Sequence, residues 1–396
     1  MKRLLTLLSL LLAGCSLGLN PAQVTMPEKY IYAPEEPRSA ELQSRWWLIF
    51  EDERLDSIIT FALEHNRDMQ VAASRIVQAH YNIAATRSSL LPSLGINIQA
   101  EGQRTPPLSE QGEFLLGQGV SWNTALIGAL RHTTRQARAE YLSTEWAYRA
   151  LRLTLSHEVA TAYFTLVESQ QLLWLARRTL SLRLKAQSLT DSLTMYGFAS
   201  GLDREQARSL VSEAEADVAQ YERALSVAQL SLSTLMGTTP QSPPLDSLPM
   251  PSLPQAIPAG IPSELLSRRP DLMQAHYELQ AAAAAVGIAR SERFPSISLT
   301  ESGGIFGRNV REVFTHGEWA WNITASLTQP LFSFGRLRRR EQMAREAYRQ
   351  RALQYEQSVL QALEDVEQAL TTIFIEIPPF SNLNTRNRPC QRKCQK

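Results

Sequence analysis

The sequence predicts a mainly α-helical protein with membrane β-strands, built from a duplicated unit of helix, β-hairpin and long helix. Three observations support this fold class. They are an internal repeat of about 200 residues, a change from helical to alternating apolar periodicity within each repeat, and a helical pattern across the proline-free stretch between Pro107 and Pro240. The composition, 44% apolar and 20% charged, is that of a folded globular protein.

The charge of the 396-residue chain is nearly balanced, with 40 Lys and Arg residues against 39 Asp and Glu residues. Proteins that bind nucleic acid concentrate positive charge, so we expect no nucleic-acid partner. Beyond the N-terminus there is no apolar run of about 18 residues or more, and the mature chain is therefore expected to lack a transmembrane helix.

The N-terminus reads as a secretion signal followed by a lipid attachment site. Two basic residues precede an apolar segment, residues 4–12, that is too short to span a membrane. The small residues before Cys15 resemble a bacterial lipobox, which implies cleavage before Cys15 and its acylation, giving a lipid anchor. The predicted division is a signal peptide at 1–14 and a lipidated segment at 15–54. The alternative is an ordinary signal peptide with an incidental cysteine.

Two gap-free registers relate the two halves of the chain. Asp271 lies 203 positions after Asp68, and Gly335 lies 207 positions after Gly128. Chance does not produce two registers in the same order over this length, so we infer a duplication. Further identical pairs are Ala72/Ala275, Ala79/Ala282, Arg87/Arg290, Pro92/Pro295, Ser93/Ser296, Arg131/Arg338, Ala137/Ala344, Arg138/Arg345, Tyr141/Tyr348 and Tyr148/Tyr355.

Each repeat begins with an alanine-rich helical segment, at residues 55–90 and 263–293, which a Pro-Ser step ends. Apolar residues then alternate with polar ones, which predicts two strands of about ten residues per repeat, long enough to cross a membrane. We expect turn-rich connections at 103–118 and 303–317. The alternating apolar positions include Leu94, Ile96, Ile98, Val120, Trp122, Ile297, Leu299, Trp321, Ile323 and Leu327.

The first hairpin is followed by a predicted helix at 128–195, about 100 Å long at about 1.5 Å per residue. A turn at 196–201 precedes a returning helix, for which Asp203 is the expected cap. A cytosolic coiled-coil hairpin is the alternative, but the secretion signal and the β-hairpins favour an exported protein. The returning helix has apolar residues spaced by four and three, typical of packing against a long helix: Ala207, Val211, Ala214, Val218, Tyr221, Leu225, Ala228, Leu232 and Leu235.

The predicted organisation continues with a first repeat at 55–236 and a proline-rich linker at 237–262. An incomplete second repeat at 263–373 and an aberrant tail at 374–396 follow, because Ala369 has only 27 residues after it and no second returning helix. We interpret the tail as the product of a truncation or frameshift, with a natural short variant as the alternative.

Several segments of the chain resemble the outer-membrane factor family, the TolC-like channel lipoproteins of resistance-nodulation-division (RND) efflux systems, of NodT type. The resemblance extends from Cys15 to about residue 373. The segments are WWLIFED at 46–52, GFASGLD at 197–203, IPAGIPSELLSRRPDL at 257–272, FPSISL at 294–299 and FSFGRL at 332–337. The first strand-to-helix corner, residues 123–129, departs from the family pattern, which leaves the polar contacts of that corner unassigned.

The resemblance implies a homotrimer in which each subunit gives four strands to a shared β-barrel in the outer membrane, while the helices form a periplasmic α-barrel. Four strands alone cannot close a barrel, which agrees with an oligomer. The implied partners are outer-membrane lipid, a periplasmic adaptor (membrane fusion protein) and an inner-membrane RND pump. The implied site residues are Cys15 for lipid attachment and Gly197, Ser200, Gly201, Leu202 and Asp203 for the adaptor-facing tip.

No catalytic or metal-binding motif is found in the sequence, and no cofactor is expected. His157 lacks the second histidine of a zinc-protease helix, and Cys390 and Cys394 have no further ligands nearby. The predicted function is an outer-membrane channel subunit of a tripartite efflux system that exports small molecules such as drugs. The alternatives are a periplasmic coiled-coil lipoprotein without a pore and a truncated, non-functional channel remnant.

Overall fold

The computed structural model describes residues 26–27, 30–31, 45–103, 111–125, 128–239 and 262–372. Cys15, most of the predicted linker and the predicted tail lie outside the described residues. The chain divides into two compact units. The first comprises residues 1–32, 75–146 and 261–396, and the second comprises residues 33–74 and 147–260.

The two halves of the chain contain the same series of helix, two strands and long helix. The first half has a 3₁₀ helix at Trp46–Phe50, then α1 (Glu53–His65), α2 (Arg67–Ser88), β1 (Ser93–Gln103), β2 (Gln111–Ala125), α3 (Ala129–Met195) and α4 (Gly201–Leu235). The second half has a 3₁₀ turn at Pro262–Glu264, then α5 (Leu265–Arg268), α6 (Pro270–Ser291), β3 (Ser296–Gly307), α7 (Val310–Thr315), β4 (Glu318–Thr328) and α8 (Arg336–Thr371). None of the described helices is both long and apolar enough to span a membrane.

The single helix predicted at 55–90 is two helices, because Asn66 interrupts it. The Asn66 side-chain oxygen accepts hydrogen bonds from the backbone N–H groups of Asp68 (2.8 Å) and Met69 (3.2 Å), and thereby starts α2. Its Nδ2 group donates to the carbonyl of Leu235 at the end of α4 (2.9 Å). The second repeat has Arg269 in the equivalent position, 203 residues later, where its guanidinium bonds Asp365 at 2.9 Å.

The predicted turn-rich connections were too long, since strand occupies part of both. β2 begins at Gln111, β3 continues to Gly307, and the short helix α7 fills most of the remaining second connection. The glycines that indicated turns instead allow neighbouring strands to approach closely. A Cβ atom on Gly304 would overlap the backbone of Gly117 on the adjacent strand.

The four strands form one antiparallel sheet in the order β1-β2-β3-β4. The register pairs Leu94 with Val120, Val120 with Glu301, and Glu301 with Ile323, which places these residues on one face. That face, the apolar sheet face, carries Leu94, Ile96, Ile98, Leu116, Val120, Trp122, Ile297, Leu299, Ile305, Trp319, Trp321, Ile323 and Leu327. The opposite face carries mainly serine, threonine, asparagine and glycine.

The core of the second unit joins the N-terminal segment to α3. Trp47 is almost fully buried, and Trp46 donates from Nε1 to Ser156 Oγ (2.9 Å). The Tyr163 hydroxyl donates to Asp52 Oδ2 (2.7 Å), while Asp52 Oδ1 accepts the backbone N–H groups of Arg54 and Leu55 in the first turn of α1. Burial, and then the hydrogen bond to Asp52, raise the pKa of Tyr163, so its hydroxyl stays protonated.

The nine apolar residues spaced by four and three on the returning helix, which we call the apolar ladder of α4, face the core as predicted. Val211, Ala214, Ala228 and Leu232 are buried, and the other ladder positions are half-buried. An ion pair between Arg177 of α3 and Glu222 of α4 (2.7 Å) lies beside the ladder and is well exposed, so its contribution to stability is small.

Candidate functional site

The predicted tip residues lie in the turn between α3 and α4 and in the first turn of α4. Gly197 ends α3 with φ 78°, in the left-handed region. The Phe198 N–H donates to the Leu193 carbonyl (2.8 Å) and the Gly197 N–H to the Thr194 carbonyl (3.1 Å), the paired bonds of a Schellman motif. Glycine adopts this backbone conformation without the steric strain of a side chain, which explains why the long helix ends here.

Ser200, and not Asp203 as predicted, is the N-cap of α4. The Ser200 side chain accepts a hydrogen bond from the Asp203 N–H (3.1 Å), and the Ser200 N–H donates to Asp203 Oδ2 (2.9 Å). This reciprocal pair is a capping box in which Asp203 occupies the third helical position. Asp203 therefore does stabilise the first turn, through the residue that precedes the helix.

The capping box depends on the charge of Asp203. Hydrogen bonds from the Ser200 side chain and then from its backbone N–H lower the pKa of the Asp203 carboxyl group. A lowered carboxyl pKa means that the folded turn favours the ionised form. This stabilisation is complete above the pKa of the unfolded chain and is lost as the pH falls through the folded value.

Four apolar side chains form the exposed surface of this turn, which we call the turn surface. Its members are Met195, Tyr196, Phe198 and Leu202, with 67% to 81% of each residue accessible to solvent. Such a group of exposed apolar residues marks an interaction surface. Sequence reasoning identified Leu202 but missed the other three, although apolar residues beside a glycine turn were a visible signal.

The remaining predicted site residues are Gly201 and Cys15. Gly201 begins α4, and a Cβ atom added there would meet no atom within 4 Å, so the structure places no steric demand on it. Cys15 lies outside the described residues. In the described part of the chain, no group of three or more His, Cys, Asp or Glu side chains is placed to hold a metal ion.

The apolar sheet face is the second candidate site. Trp319 and Trp321 lie toward the end of the sheet nearest α7 and are more than half exposed. Phe332 and Phe334 follow β4 at the opposite end, with ring centroids 4.6 Å apart. The eight-residue step from Trp319 to Leu327 covers about 26 Å at roughly 3.3 Å per residue. An apolar band of about this height between aromatic residues is typical of a membrane-spanning sheet.

Comparison with known families identifies the chain. A family model described as outer membrane efflux protein matches residues 58–238 and 261–375, which is more than half of the chain. The chain belongs to the outer membrane efflux protein family. The matched residues include all four strands and both long helices that follow the hairpins.

Relatives within the outer membrane efflux protein family match most of the chain. The probable efflux pump outer membrane protein TtgC of Pseudomonas putida is 32% identical over 386 residues, covering 92% of this chain and 79% of the relative. The cation efflux system protein CusC of Escherichia coli is 28% identical over 372 residues, covering 91% of this chain and 80% of CusC.

Solved structures give the same fold. A membrane protein from Pseudomonas aeruginosa superimposes with a TM-score of 0.76 at 29% identity, covering 90% of this chain and 83% of that protein. The outer-membrane channel OprN superimposes with a TM-score of 0.80 at 26% identity, covering 94% of this chain and 84% of OprN. The mainly helical fold with a β-hairpin in each half is thus that of outer-membrane efflux channels. The family and these relatives are channel proteins, and family membership indicates an outer-membrane location.

Proposed function

We propose that this chain is the outer-membrane channel subunit of a tripartite efflux system and works as a homotrimer. The observation that carries the proposal is the four-stranded sheet with one apolar face. In the described residues, β1 and β4 each pair with one neighbouring strand only. Unpaired edges inside a bilayer leave backbone groups without hydrogen bonds, which is unfavourable there.

Pairing between copies removes both edges. The strands alternate in direction, so β4 of one copy meets β1 of the next in antiparallel orientation. Three copies would supply twelve strands to one closed barrel. The apolar sheet face then contacts lipid, and the polar face lines a water-filled channel.

The helices extend the proposed channel toward two protein partners. The turn surface lies between α3 and α4, where apolar side chains are exposed around a rigid capped turn. We assign a periplasmic adaptor to this surface and an inner-membrane RND pump beyond it. The relatives are named for toluene, antibiotic or cation efflux, and this variety supports small-molecule export with the substrate selected by the pump.

Conductance in planar lipid bilayers tests the channel. The full chain should produce unitary current steps of uniform size, because a closed barrel of fixed strand number has one diameter. Heat-denatured protein is the control. Well-folded, membrane-inserted protein that gives no steps would exclude the channel and favour a coiled-coil lipoprotein without a pore.

Charged substitutions on the turn surface test the adaptor contact. Phe198→Glu and Leu202→Glu should preserve conductance but abolish ethidium export in a deletion strain that carries the variant gene. The control is Leu230→Glu, which is half-exposed on α4 away from the turn and should leave export unchanged. Full export by both turn variants would refute the proposed docking surface.

Metabolic labelling tests the lipid anchor at Cys15. Radiolabelled palmitate should label the wild-type protein, and Cys15→Ala should lose the label while Cys390→Ala retains it. Equal labelling of the wild type and Cys15→Ala would contradict acylation of Cys15.

A further inference from the structure

The strand-to-helix corner of the second repeat contains a cluster of ion pairs around a buried carboxylate. Glu341, near the start of α8, is only 4% exposed and lies between Arg293 (2.6 Å) and Arg345 (2.7 Å). A second pair joins Arg340 to Glu292 at 3.0 Å. Two carboxylates therefore pair with three guanidinium groups at this corner.

The equivalent corner of the first repeat keeps one arginine of this cluster and lacks its central carboxylate. At the offset of 207, Arg138 corresponds to Arg345, but Thr134 takes the position of Glu341. Arg131 and Arg135 lie on the same face of α3 as Arg138, at spacings of four and three residues. Among the described residues, no carboxylate forms an ion pair with any of these three arginines.

The three arginines line one cavity. It has a volume of about 710 Å³ and lies between the first turns of α3 and the middle of α6, where Gln280 and Ala284 complete its wall. Gly287 of α6 allows this approach, since a Cβ atom there would overlap the His132 ring.

His132 adds an uncharged group to the cavity wall. Burial, and then the nearby positive charge of Arg135, lower the pKa of the His132 imidazole, which is therefore neutral near pH 7. The cavity thus offers three guanidinium groups, one neutral imidazole and one amide. Several guanidinium groups converging without a carboxylate are suited to an oxyanion, and their planar donors match phosphate oxygens in pairs.

We propose that this arginine cavity binds the phosphate group of a phospholipid from the periplasmic leaflet of the outer membrane. The inference rests on the proposed function, in which β2 crosses that membrane. α3 begins four residues after β2 ends, and its residues 131–138 lie within roughly 14 Å of the helix start at about 1.5 Å per residue. This places Arg131 at headgroup depth, just beyond the hydrocarbon, with Arg135 and Arg138 on the next two turns of the helix. The lipid phosphate supplies the first repeat with a negative charge, as the Glu341 carboxylate does in the second repeat.

Binding of a short-chain phospholipid to the full-length protein tests the proposal. Purified channel in maltoside detergent would be titrated calorimetrically with dihexanoyl phosphatidylglycerol, with uncharged dihexanoyl glycerol and with inorganic phosphate. The wild type should bind the phospholipid saturably, at least tenfold more tightly than either other ligand. Arg135→Gln/Arg138→Gln should weaken that binding at least tenfold. The charge-matched control is Arg183→Gln/Arg349→Gln, two exposed arginines that do not line the cavity, which should bind as the wild type does.

Circular dichroism and conductance of the same preparations separate this proposal from the proposed function. A conducting wild type that does not bind the phospholipid, or a folded double variant that binds it unchanged, would overturn the lipid site and leave the channel intact. Equal affinity for inorganic phosphate would also overturn it, since the site would then bind a free anion. A wild type that binds the phospholipid without conducting would retain the cavity as a lipid site and reject the channel.

Discussion

Single residues at the turn between α3 and α4 determine its conformation in two different ways. Gly197 provides a backbone conformation that side chains disfavour, and Ser200 provides hydrogen bonds to backbone groups that the helix leaves unpaired. Both effects are local, involving residues fewer than six positions apart. The turn therefore holds its apolar side chains at defined positions without support from a distant segment.

Ser200→Ala should increase fraying of the first turn of α4. Loss of an N-cap costs about 1 kcal/mol, so amide hydrogen exchange at residues 201–204 should become about fivefold faster at pH 7. The difference from the wild type should shrink as the pH falls through the lowered pKa of Asp203, because protonation removes the capping box from the wild type as well. Amide hydrogen exchange measured by mass spectrometry at several pH values gives these rates. Ser212→Ala, at an exposed position within α4, is the control, and a pH-independent difference would contradict the role of Asp203.

Glycine has a different role within the sheet. Gly117 and Gly304 are paired across β2 and β3, and each would overlap the other strand's backbone if it carried a Cβ atom. Gly95 of β1 has no atom within 4 Å of its Cβ position. The first two glycines are therefore required by packing, and the third is not.

Gly304→Ala should destabilise the sheet by about 1 to 3 kcal/mol, as overpacking does, whereas Gly95→Ala should be nearly neutral. Urea unfolding in detergent, followed by the fluorescence of Trp319 and Trp321, measures the difference. Equal midpoints for the two variants would show that the strands relax around the added methyl group.

At the scale of elements, the pairing of α3 and α4 depends on one face of α4. The apolar ladder is buried while neighbouring residues of the same type remain exposed. Leu232 is 4% exposed and Leu230 is 50% exposed, two positions apart on the same helix. Helical periodicity alone accounts for this contrast, which makes the two leucines a matched pair.

Leu232→Ala should lower the free energy of unfolding by about 2 to 5 kcal/mol, because it leaves a cavity in the core of the second unit. Leu230→Ala should change it by less than about 0.5 kcal/mol. Denaturant unfolding followed by far-ultraviolet circular dichroism compares them. A larger loss for Leu230→Ala would mean that the two faces of α4 are assigned the wrong way round.

At the scale of the whole molecule, the proposed barrel has one face toward lipid. Glu301 is the one charged residue that the described strands place on the apolar sheet face, paired with Val120 and Ile323 near the middle of β3. Gly303 leaves room beside its carboxylate. In the proposed barrel the Glu301 carboxylate lies near the middle of the membrane, where a charge in hydrocarbon is unfavourable. A substitution of Glu301 therefore tests which face of the sheet contacts lipid.

Glu301→Leu should stabilise the protein in phosphatidylcholine vesicles by about 1 to 2 kcal/mol, less than the figure for a basic residue at the membrane centre. Glu318→Leu, on the polar face of β4, should give no such gain. Urea titration of vesicle-inserted protein measures both variants. Stabilisation by Glu318→Leu alone would reverse the assignment of the faces.

The order and type of the main elements could be predicted from the sequence, because both repeats show the same change of period at Pro92 and Pro295. The positions of the strand ends could not be predicted from the sequence. Gly117 and Gly304 read as turn residues, yet they lie within strands because each faces the other across the sheet. The break at Asn66 was missed although asparagine is a preferred N-cap, and only its bond to Leu235, 169 positions away, required the fold.

The candidate sites likewise combine features that local sequence predicts with contacts that only the fold creates. The sequence by itself determined the turn at Gly197, the apolar ladder of α4 and the alternation of the strands, because each depends on residues a few positions apart in the chain. Only the tertiary structure decided that three arginines and His132 share a cavity with α6, and that Glu341 pairs with two arginines in the second repeat. These contacts join segments far apart in sequence, and their geometry is fixed by helix and strand packing, which no local pattern encodes.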